Sequence, residues 1–141
     1  MSTPSDKPHI EPVQPEGWAP AKGYSNGMVS HGGRTVWVAG QIAWDEQQRL
    51  VGRGDFQAQF RQALENVRAV VEAAGGEPWH LVRLTIYVSD KRDYLADLKA
   101  IGTIYRDVLG RHFPAMALVQ VADLLEEGAL VEIEGTAVLP D

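Results

Sequence analysis

The stretch that most restricts the fold runs from residue 130 to 139 and reads LVEIEGTAVL. Side chains of a strand alternate between the two faces of its sheet. Val131, Ile133, Ala137 and Leu139 therefore point one way, and Leu130, Glu132, Glu134, Thr136 and Val138 the other. The first set reads as a core face. The second places two carboxylates two positions apart between apolar neighbours, a pattern that suits neither a dry interior nor a plain solvated surface. Alternation leaves two readings open: a solvent-facing row on a half-exposed antiparallel strand, or the wall of a partly enclosed polar site.

A strand of this kind needs partners and a covering layer, and the preceding chain supplies both. Phe56, Phe60, Ala63, Leu64, Val67, Val71 and Ala74 recur at spacings of three and four. They predict an amphipathic helix with Asp55 as its N-cap and Gly75-Gly76 as its stop. Residues 81–89 alternate, with Val82, Leu84, Ile86 and Val88 on one face and Arg83, Thr85 and Tyr87 on the other. A second helix is predicted over residues 92–109, its inner face formed by Tyr94, Leu98, Ile101, Tyr105 and Val108 and its end marked by Gly110. A further strand spans 115–121.

Upstream, residues 28–31 and 35–42 flank Gly32-Gly33 and predict a β-hairpin, with Leu50-Val51 as a short returning strand. Gly40, inside an otherwise good strand, signals a bulge or a close approach by another backbone or a ligand. Residues 1–22 carry Pro4, Pro8, Pro12, Pro15 and Pro20 and read as an extended arm. Residues 23–141 read as one domain, the size expected of a single core.

The net charge is -6, without a basic run, which argues against a nucleic-acid partner. No apolar stretch is long enough to predict a membrane span, and a cytoplasmic location is expected. The chain has no cysteine, so a disulfide, a thiolate nucleophile and a thiolate metal site are all excluded. His9, His31, His80 and His112 lack ligand spacing, and no metal site is expected. Ser25, Ser30 and Ser89 sit in no recognisable nucleophile motif.

If helices cover one side of the sheet, the other side is expected to show Trp37, Ala39, Gln41, Arg83, Thr85, Tyr87, Met116, Leu118, Gln120, Glu132 and Glu134. Trp37, Tyr87, Met116 and Leu118 would then form a patch too apolar for water, and a second copy of the chain is the simplest cover. The two glutamates share this face with Arg83, so an acid-base site and a structural ion pair are both open readings.

Gly23-Tyr24, Ala39-Gly40-Gln41, Gln59 through Asn66, Ala73-Ala74-Gly75, Thr85 through Val88, Phe113-Pro114-Ala115 and Val131-Glu132-Ile133-Glu134 together resemble the Rid family, also called YjgF-like or L-PSP proteins. The resemblance spans residues 23–139. It implies an α+β, chorismate-mutase-like fold, a six-stranded mixed sheet backed on one face by two helices. It also implies a homotrimer around a central barrel, with small-molecule clefts between subunits. Deaminating members hydrolyse imines and enamines without a cofactor.

By the resemblance, Glu132 is the catalytic acid that positions or activates water. Tyr24 matches a cleft tyrosine, Ala39 stands where a serine often lies, and Gly40 and Tyr87 join the substrate-binding wall. Met116 stands where deaminating members carry an arginine that clamps the substrate carboxylate. Methionine offers neither charge nor a useful hydrogen bond, so the acid-base group is kept and the clamp is lost. Three functions follow as alternatives. The first is an imine or enamine deaminase acting on an unidentified substrate, and the second a non-catalytic ligand-binding or regulatory homotrimer. The third is a ribonuclease or translation inhibitor, a label often carried in this family, which the charge does not support.

Overall fold

Asp55 begins the longest helix as the sequence predicts. In the computed structural model, which describes residues 9–141, its side chain accepts a hydrogen bond from Ala58 N at 3.1 Å and α1 runs over Phe56–Ala73. The apolar stripe from Phe56 to Val71 is buried. The other elements, in chain order, are β1 (Ile10–Val13), β2 (Gly27–Ser30), β3 (Arg34–Gln41), β4 (Leu81–Val88), α2 (Lys91–Leu95), α3 (Leu98–Leu109), β5 (Ala115–Gln120) and β6 (Val131–Leu139).

Six strands and three helices give the α+β fold expected, with the strands divided between two sheets. The larger sheet has the order β3-β6-β4-β5. The last strand is central: β6 pairs antiparallel with β3 on one side and with β4 on the other, while β4 and β5 run parallel. Val131, Ile133, Ala137 and Leu139 are fully buried in a core shared with α1 and α3, whereas Glu132, Glu134 and Thr136 are half-buried on the opposite face. Burying one such apolar side chain stabilises the fold by about 1.5–3 kcal/mol, so this alternation fixes which way the strand faces.

The predicted hairpin does not form. Strands β2 and β3 flank Gly32-Gly33, but β2 pairs with β1 from the proline-rich arm, with Ile10 opposite Ser30 and Val13 opposite Gly27. His31 N extends that ladder to His9 O at 2.9 Å. Gly33, with φ of 86°, packs against the Leu139 carbonyl and the His9 ring, where a Cβ would collide. The β2 backbone groups are met by the arm, and β3 starts afresh opposite Leu139. Similarly, Leu50-Val51 contributes an isolated bridge to Trp44 and a bond from Val51 N to Ala43 O, not a full strand.

The second helix is two. Asp97 accepts from Ala100 N at 3.0 Å and caps a new helix, α3, immediately after α2. An aspartate at this point competes with the helical backbone for its hydrogen bonds, and the break leaves Leu98 54% exposed instead of on the inner face. In β4 an irregularity between Leu81 and Arg83 buries Leu81 and leaves Val82 only half-buried.

One buried polar group ties the loops to the core. Gln59 of α1 is 0% exposed; its Nε2 donates to the Gly52 and Gly128 carbonyls, and its Oε1 accepts from Leu130 N at 2.8 Å. The amide thereby anchors the loop that leads into β6. No helix among the described residues is long and apolar enough to cross a membrane.

Candidate functional site

The site begins with the pairing of β4 and β6. Their register puts Glu132 opposite Tyr87 and Glu134 opposite Thr85, so both carboxylates share the sheet face turned away from the helices. The Tyr87 hydroxyl donates to Glu134 Oε1 at 2.6 Å. Tyr87 titrates above the ordinary tyrosine value, first because of that bond, then because of desolvation and the negative charges of Glu134 and Glu132; Arg83 opposes the shift. Glu134 is thus occupied as an acceptor.

Glu132 is placed differently. The register of β3 on β6 slips between Val38 and Gln41, inserting one extra residue at Ala39-Gly40. Glu132 lies over the resulting bulge: a Cβ on Gly40 would sit 2.5 Å from Oε2 and 3.0 Å from Cδ. Of the two features signalled by this glycine the bulge occurs, whereas the close approach is made by a side chain, the Glu132 carboxylate, and not by another backbone or a ligand. The bulge also brings Gln41 opposite Ile133, taking it out of the row it shares in sequence with Trp37 and Ala39. No hydrogen bond engages the Glu132 carboxylate among the described residues.

Arg83, Trp37, Ala39, Thr85, Glu134 and Thr136 line an open groove of about 560 Å³ on this face. Among the described residues no ion pair joins Arg83 to either glutamate. Trp37 is 78% exposed.

Met116 lies elsewhere. In the parallel pairing of β4 and β5, Met116 is opposite Leu84 and Leu118 opposite Ile86, both on the helix side, where they pack partly buried against the core. The apolar patch expected from Trp37, Tyr87, Met116 and Leu118 therefore does not exist. Its place on the open face is taken by Ala115, Ala117 and Val119, which stand opposite Arg83, Thr85 and Tyr87. Alternation within β5 gives two sets of residues, but only its register on β4 decides which set faces inward.

Tyr24 is exposed beyond the outer edge of β5. There Ser25 bridges to Ala115, its N–H donates to Pro114 O at 3.0 Å, and its hydroxyl donates to Phe113 O. Gly23 and Met116 border one cavity. The site residues predicted from sequence thus fall into two groups. Ala39, Gly40, Tyr87 and Glu132 share the open face, while Met116 lies on the other side of the same sheet and Tyr24 at its edge. The bond from Tyr87 to Glu134 escaped the sequence reading, because a diagonal cross-strand contact requires the register to be known. Among the described residues, no group of three or more His, Asp or Glu side chains is arranged to hold a metal ion.

A family model described as Endoribonuclease L-PSP matches residues 15–139. The chain belongs to the Rid/YjgF/L-PSP family. It is 38% identical over 109 residues to the 2-iminobutanoate/2-iminopropanoate deaminase of Salmonella typhimurium, covering 75% of this chain and 80% of that protein. The human protein of the same name is 31% identical over 105 residues, 74% of this chain and 73% of its own length. Among solved structures, the conserved Rid-family protein YyfB from Yersinia pestis superposes with a TM-score of 0.83 at 35% identity, over 93% of this chain and 99% of that one.

Proposed function

We propose that the protein is an imine or enamine deaminase, a hydrolase of small molecules in the cytoplasm, with Glu132 as its acid-base group. The observation that carries this reading is the Glu132 carboxylate, unengaged by the described residues and lying over the Gly40 backbone, while its neighbour Glu134 is held by Tyr87. The names of the Salmonella and human relatives support the same chemistry. An imine carbon is already electrophilic, so the work left to the protein is to orient water and move protons. As the water oxygen bonds to carbon, Glu132 takes a proton from it. That proton passes to nitrogen and gives a carbinolamine; the remaining hydroxyl proton is then moved to nitrogen as the C–N bond breaks, so that ammonia leaves and a carbonyl remains. An enamine enters the same route after protonation on carbon. General acid-base help of this kind contributes roughly 10²- to 10⁴-fold.

The reading includes assembly. A cleft holding both Glu132 and Met116 is out of reach of one chain, since the sheet separates them; it forms when the open face of one subunit meets the β5 edge of the next, as in a homotrimer. In that cleft Ala39, Gly40 and Tyr87 form one wall and Tyr24 and Met116 the other. The test is ammonia release across a panel of neutral, apolar and 2-imino acid substrates. Glu132→Gln should lower turnover by about 100-fold or more while the assembly stays intact, because the amide keeps the shape but cannot accept the proton. Turnover unchanged in that variant would refute the assignment.

Met116 favours a second reading, a ligand-binding or regulatory homotrimer without catalysis, since it brings no carboxylate clamp. Ammonia release in the wild type, lost on Glu132→Gln, excludes it. The ribonuclease description of the matched family finds no support in the net charge of -6.

A further inference from the structure

The β1–β2 ladder ends where Val13 stands opposite Gly27, and Gly27 belongs to the only Asn-Gly pair in the sequence. We propose that Asn26-Gly27 is a self-modifying site, where the Gly27 backbone nitrogen attacks the Asn26 side chain and converts it, through a cyclic imide, to aspartate and isoaspartate, and that Gln14 of the arm sets the rate. Water is the only co-reactant. The Gly27 N–H gives its proton to water as its nitrogen bonds to Asn26 Cγ, the Cγ–Nδ2 bond breaks, and ammonia leaves with a proton taken from water. A second water opens the ring at either carbonyl, which leaves the new carboxylate on the side chain or routes the main chain through the former side chain.

A glycine nitrogen is open to this attack because no side chain shields it. The fold does not demand glycine here. Gly27 is not among the glycines of positive φ, and an added Cβ would meet only Val13 Cβ at 3.6 Å, an ordinary contact. The chain's other asparagine has the opposite setting. Asn66 lies within α1, its Nδ2 donates to the Ile42 and Trp44 carbonyls at 3.0 and 2.9 Å, and its Oδ1 accepts from Gln62. The residue after it is β-branched Val67, whose N–H the helix commits to its own ladder.

Asn26 is exposed, just outside β2, and among the described residues its side chain has one partner: Nδ2 donates to Gln14 Oε1 at 2.7 Å. Gln14 is itself fixed, its Nε2 donating to the Trp18 and Ala19 carbonyls at 3.2 and 3.0 Å. Both reacting groups are thus restrained by the arm, Asn26 through Gln14 and Gly27 through the terminal pair of a short ladder, where fraying is easiest. Conversion then opposes reclosure. A carboxylate at position 26 cannot donate to Gln14 Oε1, and the Gln14 amide cannot turn without giving up Trp18 and Ala19. Isoaspartate also lengthens the main chain between β2 and Ser25, whose N–H is anchored to Pro114 O at 3.0 Å. A transient opening of the arm is thereby recorded as a lasting covalent change.

The test is mass spectrometry of the full chain kept for several weeks at neutral pH and physiological temperature, then digested with trypsin beside a fresh sample. The peptide Gly23–Arg34, released at Lys22 and Arg34, should gain the mass that exchange of NH2 for OH brings. It should also accept methyl groups from an isoaspartate methyltransferase, and the peptide holding Asn66 should do neither. Gln14→Ala should raise the rate roughly two- to tenfold, the range spanned by the loss of one net hydrogen bond. Gly27→Val, a strand-compatible change that shields the nitrogen, should reduce conversion to the level of Asn66. No conversion in either wild type or Gln14→Ala, equal rates in those two, undiminished conversion in Gly27→Val, or conversion at Asn66 as fast as at Asn26 would each overturn the proposal.

Discussion

Tyr87 stands directly opposite Glu132 on the neighbouring strand, yet its hydroxyl reaches diagonally to Glu134 Oε1 at 2.6 Å. Two carboxylates that look equivalent in the sequence are thereby given different work. Glu134 is an acceptor in a fixed hydrogen bond, and the Glu132 carboxylate is engaged by no hydrogen bond among the described residues.

The bond makes Tyr87 titrate above its ordinary value of 10.0. The neutral phenol is the form the fold favours. The stability it contributes is therefore complete below pH 10.0 and is lost as the pH rises through the higher folded value. In alkaline absorbance titrations, the difference between wild type and Tyr87→Phe isolates this residue. Glu134→Gln should move its midpoint down, and an unmoved midpoint would show that the bond is absent in solution.

Gly40→Ala tests the approach of Glu132 to the bulge. The added methyl would meet Oε2 at 2.5 Å, but that atom ends a flexible side chain that can swing away. Thermal unfolding should shift by less than the equivalent of about 1 kcal/mol, whereas any imine hydrolysis should fall at least about tenfold because the carboxylate is displaced. A variant with full activity would remove the bulge from the site.

The two sides of β5 predict opposite outcomes for neighbouring residues. Val119 is 43% exposed on the open face, and Leu118 packs against the core. Val119→Asp should leave each chain folded while breaking an assembly that light scattering should otherwise find at about three times the 15.5 kDa chain mass. Leu118→Asp should unfold the chain itself, since a lone buried charge is costly. A wild-type monomer would refute the trimer.

Much of this architecture is legible in the residues alone. The two faces of β6, the stripe of α1 and its Asp55 cap follow from periodicity and side-chain chemistry that act within a few positions. What is not legible depends on pairing between distant segments. Nothing in residues 28–42 announces that β2 will join the proline-rich arm instead of β3, and nothing within β5 tells Met116 from Ala117 as the inward residue. The break at Asp97 lies between these cases: its capping chemistry is visible, but the apolar spacing from Tyr94 to Val108 runs across it and suggests one helix.

Gln59 illustrates the same limit at a single position, and it is also testable. A stripe of apolar residues gives no hint that the polar one among them is wholly buried. Gln59→Leu keeps the size but leaves Leu130 N and the Gly52 and Gly128 carbonyls without their partner. Urea unfolding should show a loss of about 3 kcal/mol, given roughly 1–3 kcal/mol for each unsatisfied buried group and partial relaxation of the loops. A loss below about 1 kcal/mol would mean that water replaces the amide.

The bulge at Ala39-Gly40 bears on more than the placement of Glu132. It occurs in β3, an outer strand of the four-stranded sheet whose second edge meets no other strand among the described residues. A flat, regular edge of this length is a template for runaway pairing with other chains, and an inserted residue that twists the strand spoils the template. The irregularity that borders the groove would thus also work against such pairing. Deleting one residue to straighten β3 would be expected to lengthen the exposed edge and lower the yield of soluble protein, apart from any loss of catalysis.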